Sequence, residues 1–93
     1  MVSIKSSLSL LVLEVLVKTK EVKYFGEVVK VGNSIRYLAT DSNGEVYGFT
    51  HKPEIRGYAW ALPYGTPFET GGAVYLNDNG PLFGWKTSLV EVV

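Results

Sequence analysis

Ninety-three residues with 46% apolar and 19% charged side chains are expected to form a single domain, 1–93, with room for one core. That composition excludes the polar, highly charged character of a disordered chain. Cysteine is absent and His51 is the one histidine, which excludes disulfides and the usual zinc ligand sets as supports for so short a chain. Twelve aromatic residues, or a homo-oligomer, must take their place. Formal net charge is zero, so nothing global draws the protein to nucleic acid or membrane. The charges are segregated, however: residues 1–36 carry six basic and three acidic side chains, residues 37–93 three and six.

Lys5 followed by the apolar run Leu8 to Val17 has the outline of a targeting segment. Glu14 interrupts the run, no small-x-small cleavage pattern follows, and ten residues are about half a membrane span. A buried core element is the expectation, and its conformation stays open, since leucine favours helix and Val12, Val15 and Val17 favour strand. From Thr19 to Val31, Val22, Phe25 and Val28 or Val29 recur at helical spacing. Thr19 is placed to cap, Glu21 lies in the first turn and Gly32-Asn33 can stop the run, so a helix is predicted, with an extended meander as the rival.

Ile35 to His51 reads as a hairpin about Asp41-Ser42-Asn43-Gly44, a type I turn with Gly44 left-handed. Facing Asp41 to Glu45 pairs Thr40 with Val46, Ala39 with Tyr47, Leu38 with Gly48, Tyr37 with Phe49 and Ile35 with His51. The predicted core face then carries Ile35, Tyr37, Ala39, Tyr47 and Phe49. Pro53 ends that strand, and Ile55 to Leu62 offers another with Tyr58, Trp60 and Leu62 on one side. Pro63 to Gly72 is turn-rich, Ala73 to Leu76 makes a short strand, Asn77 to Pro81 another turn, and Trp85 to Val93 closes the chain. The fold class predicted is α+β, a small antiparallel β-sheet with one N-terminal helix; the alternative is an all-β meander or small barrel.

No catalytic motif is visible. Nucleophilic catalysis would have to run through His51, which reads as a strand-end residue. Glu54 and Glu69 are not singled out as a glycosidase pair by their spacing, Asn77, Asp78 and Asn79 make a solvated turn rather than a calcium loop, and neither the dinucleotide nor the Walker pattern occurs. A protein without enzymatic activity, cofactor or metal is expected. Aromatic residues among basic ones are the natural binding surface, and His51, Lys52, Arg56, Tyr58, Trp60 and Tyr64 form such a set, although Tyr58 and Trp60 also serve as core in the plainer reading.

Arg36-Tyr37-Leu38-Ala39-Thr40-Asp41, Gly44-Glu45-Val46-Tyr47-Gly48-Phe49 and Lys52-Pro53-Glu54, with Trp60 following and Trp85-Lys86-Thr87-Ser88-Leu89-Val90-Glu91-Val92 at the end, resemble small uncharacterised proteins encoded by tailed bacteriophages. The resemblance spans residues 35–93 in pieces and brings no catalytic residue. It implies a product of the host cytoplasm that binds and modulates a host protein or defence complex; Arg56, Tyr58, Tyr64, Lys52, His51 and the Pro63 to Gly72 loop are the expected contacts, and no membrane partner is expected. A nucleic-acid or nucleotide binder and a self-assembling virion component are the alternatives.

Overall fold

The computed structural model describes residues 18–93, and the Leu8 to Val17 run lies outside them. Eight strands follow in order: β1 (Thr19–Tyr24), β2 (Glu27–Gly32), β3 (Tyr37–Thr40), β4 (Val46–Phe49), β5 (Glu54–Arg56), β6 (Ala59–Ala61), β7 (Ala73–Asn77) and β8 (Val90–Glu91), with one 3₁₀ turn at Trp85–Thr87. They form three antiparallel sheets, a four-stranded one in the order β7-β4-β3-β8 and the two hairpins β1-β2 and β5-β6. The described chain is therefore all-β, and the expected α+β class with its N-terminal helix is wrong.

Where a helix was expected, Thr19 to Val31 makes the β1-β2 hairpin, with Val22 opposite Val29 and Lys20 opposite Val31. Period two governs: Val22, Tyr24, Val29 and Val31 turn inward, while Glu21, Lys23, Val28 and Lys30 stay exposed on the other face. The turn that divides the run is Phe25-Gly26, both at positive φ (49° and 84°), as a type I′ turn requires. Four valines of β-branched type reinforce the extended choice.

Phenylalanine is a poor occupant of that turn, because a side chain with Cβ costs about 1–2 kcal/mol in the left-handed region. Its ring offsets part of this by standing edge-on to Tyr24 at 4.7 Å, a contact worth about 0.5–1.5 kcal/mol. Phe25→Asn is expected to raise stability by about 0.5 kcal/mol, since asparagine tolerates the conformation. Thermal unfolding checks this, and a lowered Tm would show that the aromatic contact outweighs the strain.

The β3-β4 hairpin pairs as predicted, Tyr37 to Phe49 through Thr40 to Val46. Gly44 sits at φ 90°, its N–H donates to Asp41 O, and Asp41 N–H donates to Glu45 O. Ile35 does not pair with His51. It belongs to a turn in which its N–H donates to Gly32 O, and its side chain lies over Gly48, where a Cβ would come within 2.9 Å of it.

The expected core face is correspondingly half right. Ala39 and Phe49 are buried on it, but the main apolar cluster lies on the opposite face, where Leu38 and Val46 meet Tyr24, Val29, Val31, Ile35 and Val92. Covering both faces of the sheet, rather than one, buries the hairpin that an alternating pattern leaves half exposed. Each of these aliphatic side chains contributes about 1.5–3 kcal/mol by leaving water.

A ring of hydrogen bonds ties three elements together inside this cluster. Thr40 and Ser88 are fully buried. Tyr24 Oη lies 2.6 Å from Thr40 Oγ1 and donates to Ser88 O at 3.1 Å. Thr40 N–H donates to Ser88 Oγ at 2.8 Å, and Ser88 Oγ donates to Trp85 O at 2.6 Å. With Thr40 Oγ1 donating to the phenol, every proton has an acceptor. Among the described residues no buried side-chain polar atom lacks a partner.

Candidate functional site

Ile55 to Leu62, expected as one strand, is two. Gly57, at φ 67°, turns the chain so that Arg56 pairs with Ala59 and Ile55 with Trp60. Glycine at the first central position is the demand of a type II′ hairpin turn. Tyr58 is thereby placed at the turn instead of beside Trp60 on a strand face.

Asp41 anchors this small hairpin to the main sheet. Its Oδ1 accepts the Trp60 N–H at 2.8 Å, and Ser42 N–H donates to Tyr58 O at 3.1 Å. Burial raises the Asp41 carboxyl above its ordinary range, against the lowering effect of the Trp60 hydrogen bond, and nearby Glu45 adds to the rise. The Trp60 indole N–H donates to Trp85 O at 3.1 Å, so Trp60, half-buried, anchors the hairpin, whereas the plainer reading of Tyr58 as core is wrong, because that ring is exposed.

With its backbone held, the hairpin presents its aromatics outward. Tyr58 is 81% exposed, Tyr64 85% and Phe68 95%. All three rings stand in solvent within eleven residues of one another along the chain.

Arg56 braces the hairpin from within the protein. Its Nη2 donates to Glu54 Oε1 at 3.0 Å and to Leu62 O at 2.9 Å, and the guanidinium carbon lies 3.9 Å from the centre of the Tyr64 ring. It holds the start of the loop and one face of Tyr64, leaving the other face open. Its charge is offset by the Glu54 carboxylate.

His51 and Lys52 are exposed at the end of β4. Thr50 Oγ1 lies 2.9 Å from His51 Nδ1 and accepts the Gly72 N–H at 2.8 Å. These bonds, with Thr50 N–H donating to Gly72 O, close the 63–72 loop onto the sheet. Within the loop Thr66 N–H and Oγ1 both go to Pro63 O, and Thr70 and Gly71 N–H to Pro67 O. The turn-rich reading of Pro63 to Gly72 was right, and hydrogen bonds hold Phe68 on an ordered loop.

The structure thus joins Arg56 and Tyr64 directly and sets Tyr58 at the turn of the same hairpin, while among the described residues no hydrogen bond, ion pair or ring contact joins His51 or Lys52 to them. Phe68 was named only as part of its loop, and Phe83, nearly wholly exposed, was missed. Phe83 stands beside Leu82 and Gly84-Trp85, which gives no sign of exposure, whereas Phe68 sits among Thr66, Pro67 and Thr70-Gly71 with no apolar neighbour to offer it a core. That context was the available signal for Phe68.

Among the described residues no group of three or more His, Asp or Glu is arranged to hold a metal ion. No described helix is long and apolar enough to cross a membrane. Fold and surface together define a small all-β domain on which Tyr58, Tyr64 and Phe68 are exposed. No family model matches the chain, and no curated protein or solved structure is similar to it.

Proposed function

We propose that the protein is a non-enzymatic binding module that engages a protein partner through Tyr58, Tyr64 and Phe68. The observation that carries this reading is the outward display of three rings on a hairpin and loop fixed by hydrogen bonds. Aromatic anchors on a preformed surface give much contact area for little lost entropy. The neutralising Glu54 beside Arg56 favours a protein over a polyanion at this face. The resemblance of residues 35–93 to tailed-phage proteins supports a host protein as the partner, met in the host cytoplasm and modulated by being bound.

Immobilised protein should retain one host protein at stoichiometric level after nuclease treatment of a bacterial lysate. The double variant Tyr58→Ala/Tyr64→Ala should lose it, each truncation costing about 2 kcal/mol or some 30-fold in affinity. Both side chains are exposed, so Tm should stay within the range of ordinary surface substitutions. Retention by the double variant would move the contact elsewhere. Recovery that vanishes with nuclease would point to nucleic acid instead.

A further inference from the structure

The β1-β2 hairpin together with the residues flanking it carries an excess of positive charge. Residues 18–36 hold Lys18, Lys20, Lys23, Lys30 and Arg36 against Glu21 and Glu27. None of the five cations pairs with a carboxylate among the described residues, where the ion pair present is Arg56 with Glu54. Lys18, Lys23 and Lys30 are exposed, and Lys23 faces Val28 across the outer surface of the hairpin, with Glu21 opposite Lys30. Lys23 and Lys30 share that outer face, whereas Lys18, just before β1, alternates to the other.

At the tip of this ribbon stands Phe25, 58% exposed and held at φ 49°, where glycine or asparagine would cost less. Strain retained on an exposed bulky ring is the kind of outlier that marks function. Lysines spaced along a ribbon with an aromatic ring at its end match the two needs of an unpaired polynucleotide, neutralised phosphates and a stacking surface for a base. An acidic protein needs only the first.

We infer that the β1-β2 hairpin binds single-stranded nucleic acid, with Lys23 and Lys30 on the phosphates and Phe25 stacked on a base. This site is separate from the aromatic face of β5-β6 and the loop after it. Either can fail alone.

The test is fluorescence anisotropy of a labelled oligothymidylate, titrated with the full chain at several salt concentrations, with polyglutamate as competitor. Lys23→Glu/Lys30→Glu should weaken binding at least about tenfold at low salt. It should also flatten the plot of log affinity against log salt by about 1.4, two contacts at about 0.7 each for single strands. Phe25→Ala should weaken it at least about fivefold and leave that slope unchanged. Tyr58→Ala/Tyr64→Ala should bind as the unaltered chain does. Absence of binding at low salt, indifference to the charge reversal, or an unaltered affinity in Phe25→Ala would overturn the inference. Polyglutamate competing as well as unlabelled oligothymidylate would overturn it too, in favour of an acidic protein.

Discussion

Tyr24→Ala is expected to lower stability by about 3–5 kcal/mol, the range for removing a large buried ring, and this is the largest single-site effect foreseen. The ring is 4% exposed and packs in the main cluster with Val29, Val31 and Leu38. Its hydroxyl joins Thr40 and Ser88 O, so truncation also strips partners from buried groups. Tyr24→Phe separates the two contributions. It keeps the ring and unmakes the hydroxyl's bonds, and should cost about 1–3 kcal/mol. Chemical denaturation of both variants checks the division, and a Tyr24→Phe protein as stable as the parent would show that the hydrogen-bond ring adds nothing to packing.

The same hydroxyl gives the protein an alkaline limit. Burial raises the Tyr24 phenol above its ordinary value of 10.0, with the hydrogen bonds to Thr40 and Ser88 opposing the rise. In the window between the unfolded and folded values the native state keeps a proton that the unfolded state has lost. Stability then falls as pH rises, by the linkage relation. The contribution is complete below about pH 10, the unfolded value, and is lost as pH climbs through the folded one. Tyr24→Phe should flatten this part of the stability profile.

How far the sequence foretold this arrangement depended on whether a residue's signal was local. Gly44 in Asp41-Ser42-Asn43-Gly44 dictates its turn chemically, and the β3-β4 pairing followed from it. Gly26 and Gly57 carried the same kind of message. They were overruled, at Gly26 by a helical reading of Val22, Phe25 and Val28 and at Gly57 by an unbroken alternation from Ile55 to Leu62. In each case a two-residue turn reverses the chain within a short apolar run, where periodicity cannot tell one element from two.

The core face failed for a different reason. Ile35 packs over Gly48 because the preceding hairpin, β1-β2, folds back over that side of the sheet, and no pattern within residues 35–51 reports which face the hairpin takes. The candidate contacts divide likewise. Tyr64 was legible as an aromatic in a turn-rich loop, whereas Tyr58 was read onto a strand face, and the use of Arg56 as a brace depends on the carbonyl of Leu62 reaching it in space.

Gly80→Ala is the second large effect, expected at about 3 kcal/mol by overpacking. Gly80 donates its N–H to Gly44 O, which brings the turn after β7 against the β3-β4 turn. A Cβ there would collide with Thr40 Cγ2 and Oγ1 and come within 2.8 Å of Val46 Cγ2. Neither neighbour can retreat easily: Val46 is in the main cluster, and Thr40 Oγ1 is bonded to the Tyr24 hydroxyl. Gly72→Ala is the control, because its Cβ would meet only Thr50 Cγ2 at an ordinary 3.7 Å. If the steric account holds, Gly80→Ala should cost less in a Thr40→Ala background than in the parent, a departure from additivity that a double-mutant cycle measures directly. Equal costs in the two backgrounds would mean that the turn itself, through its bond to Gly44, resists the methyl group, and that Thr40 is not what keeps position 80 a glycine.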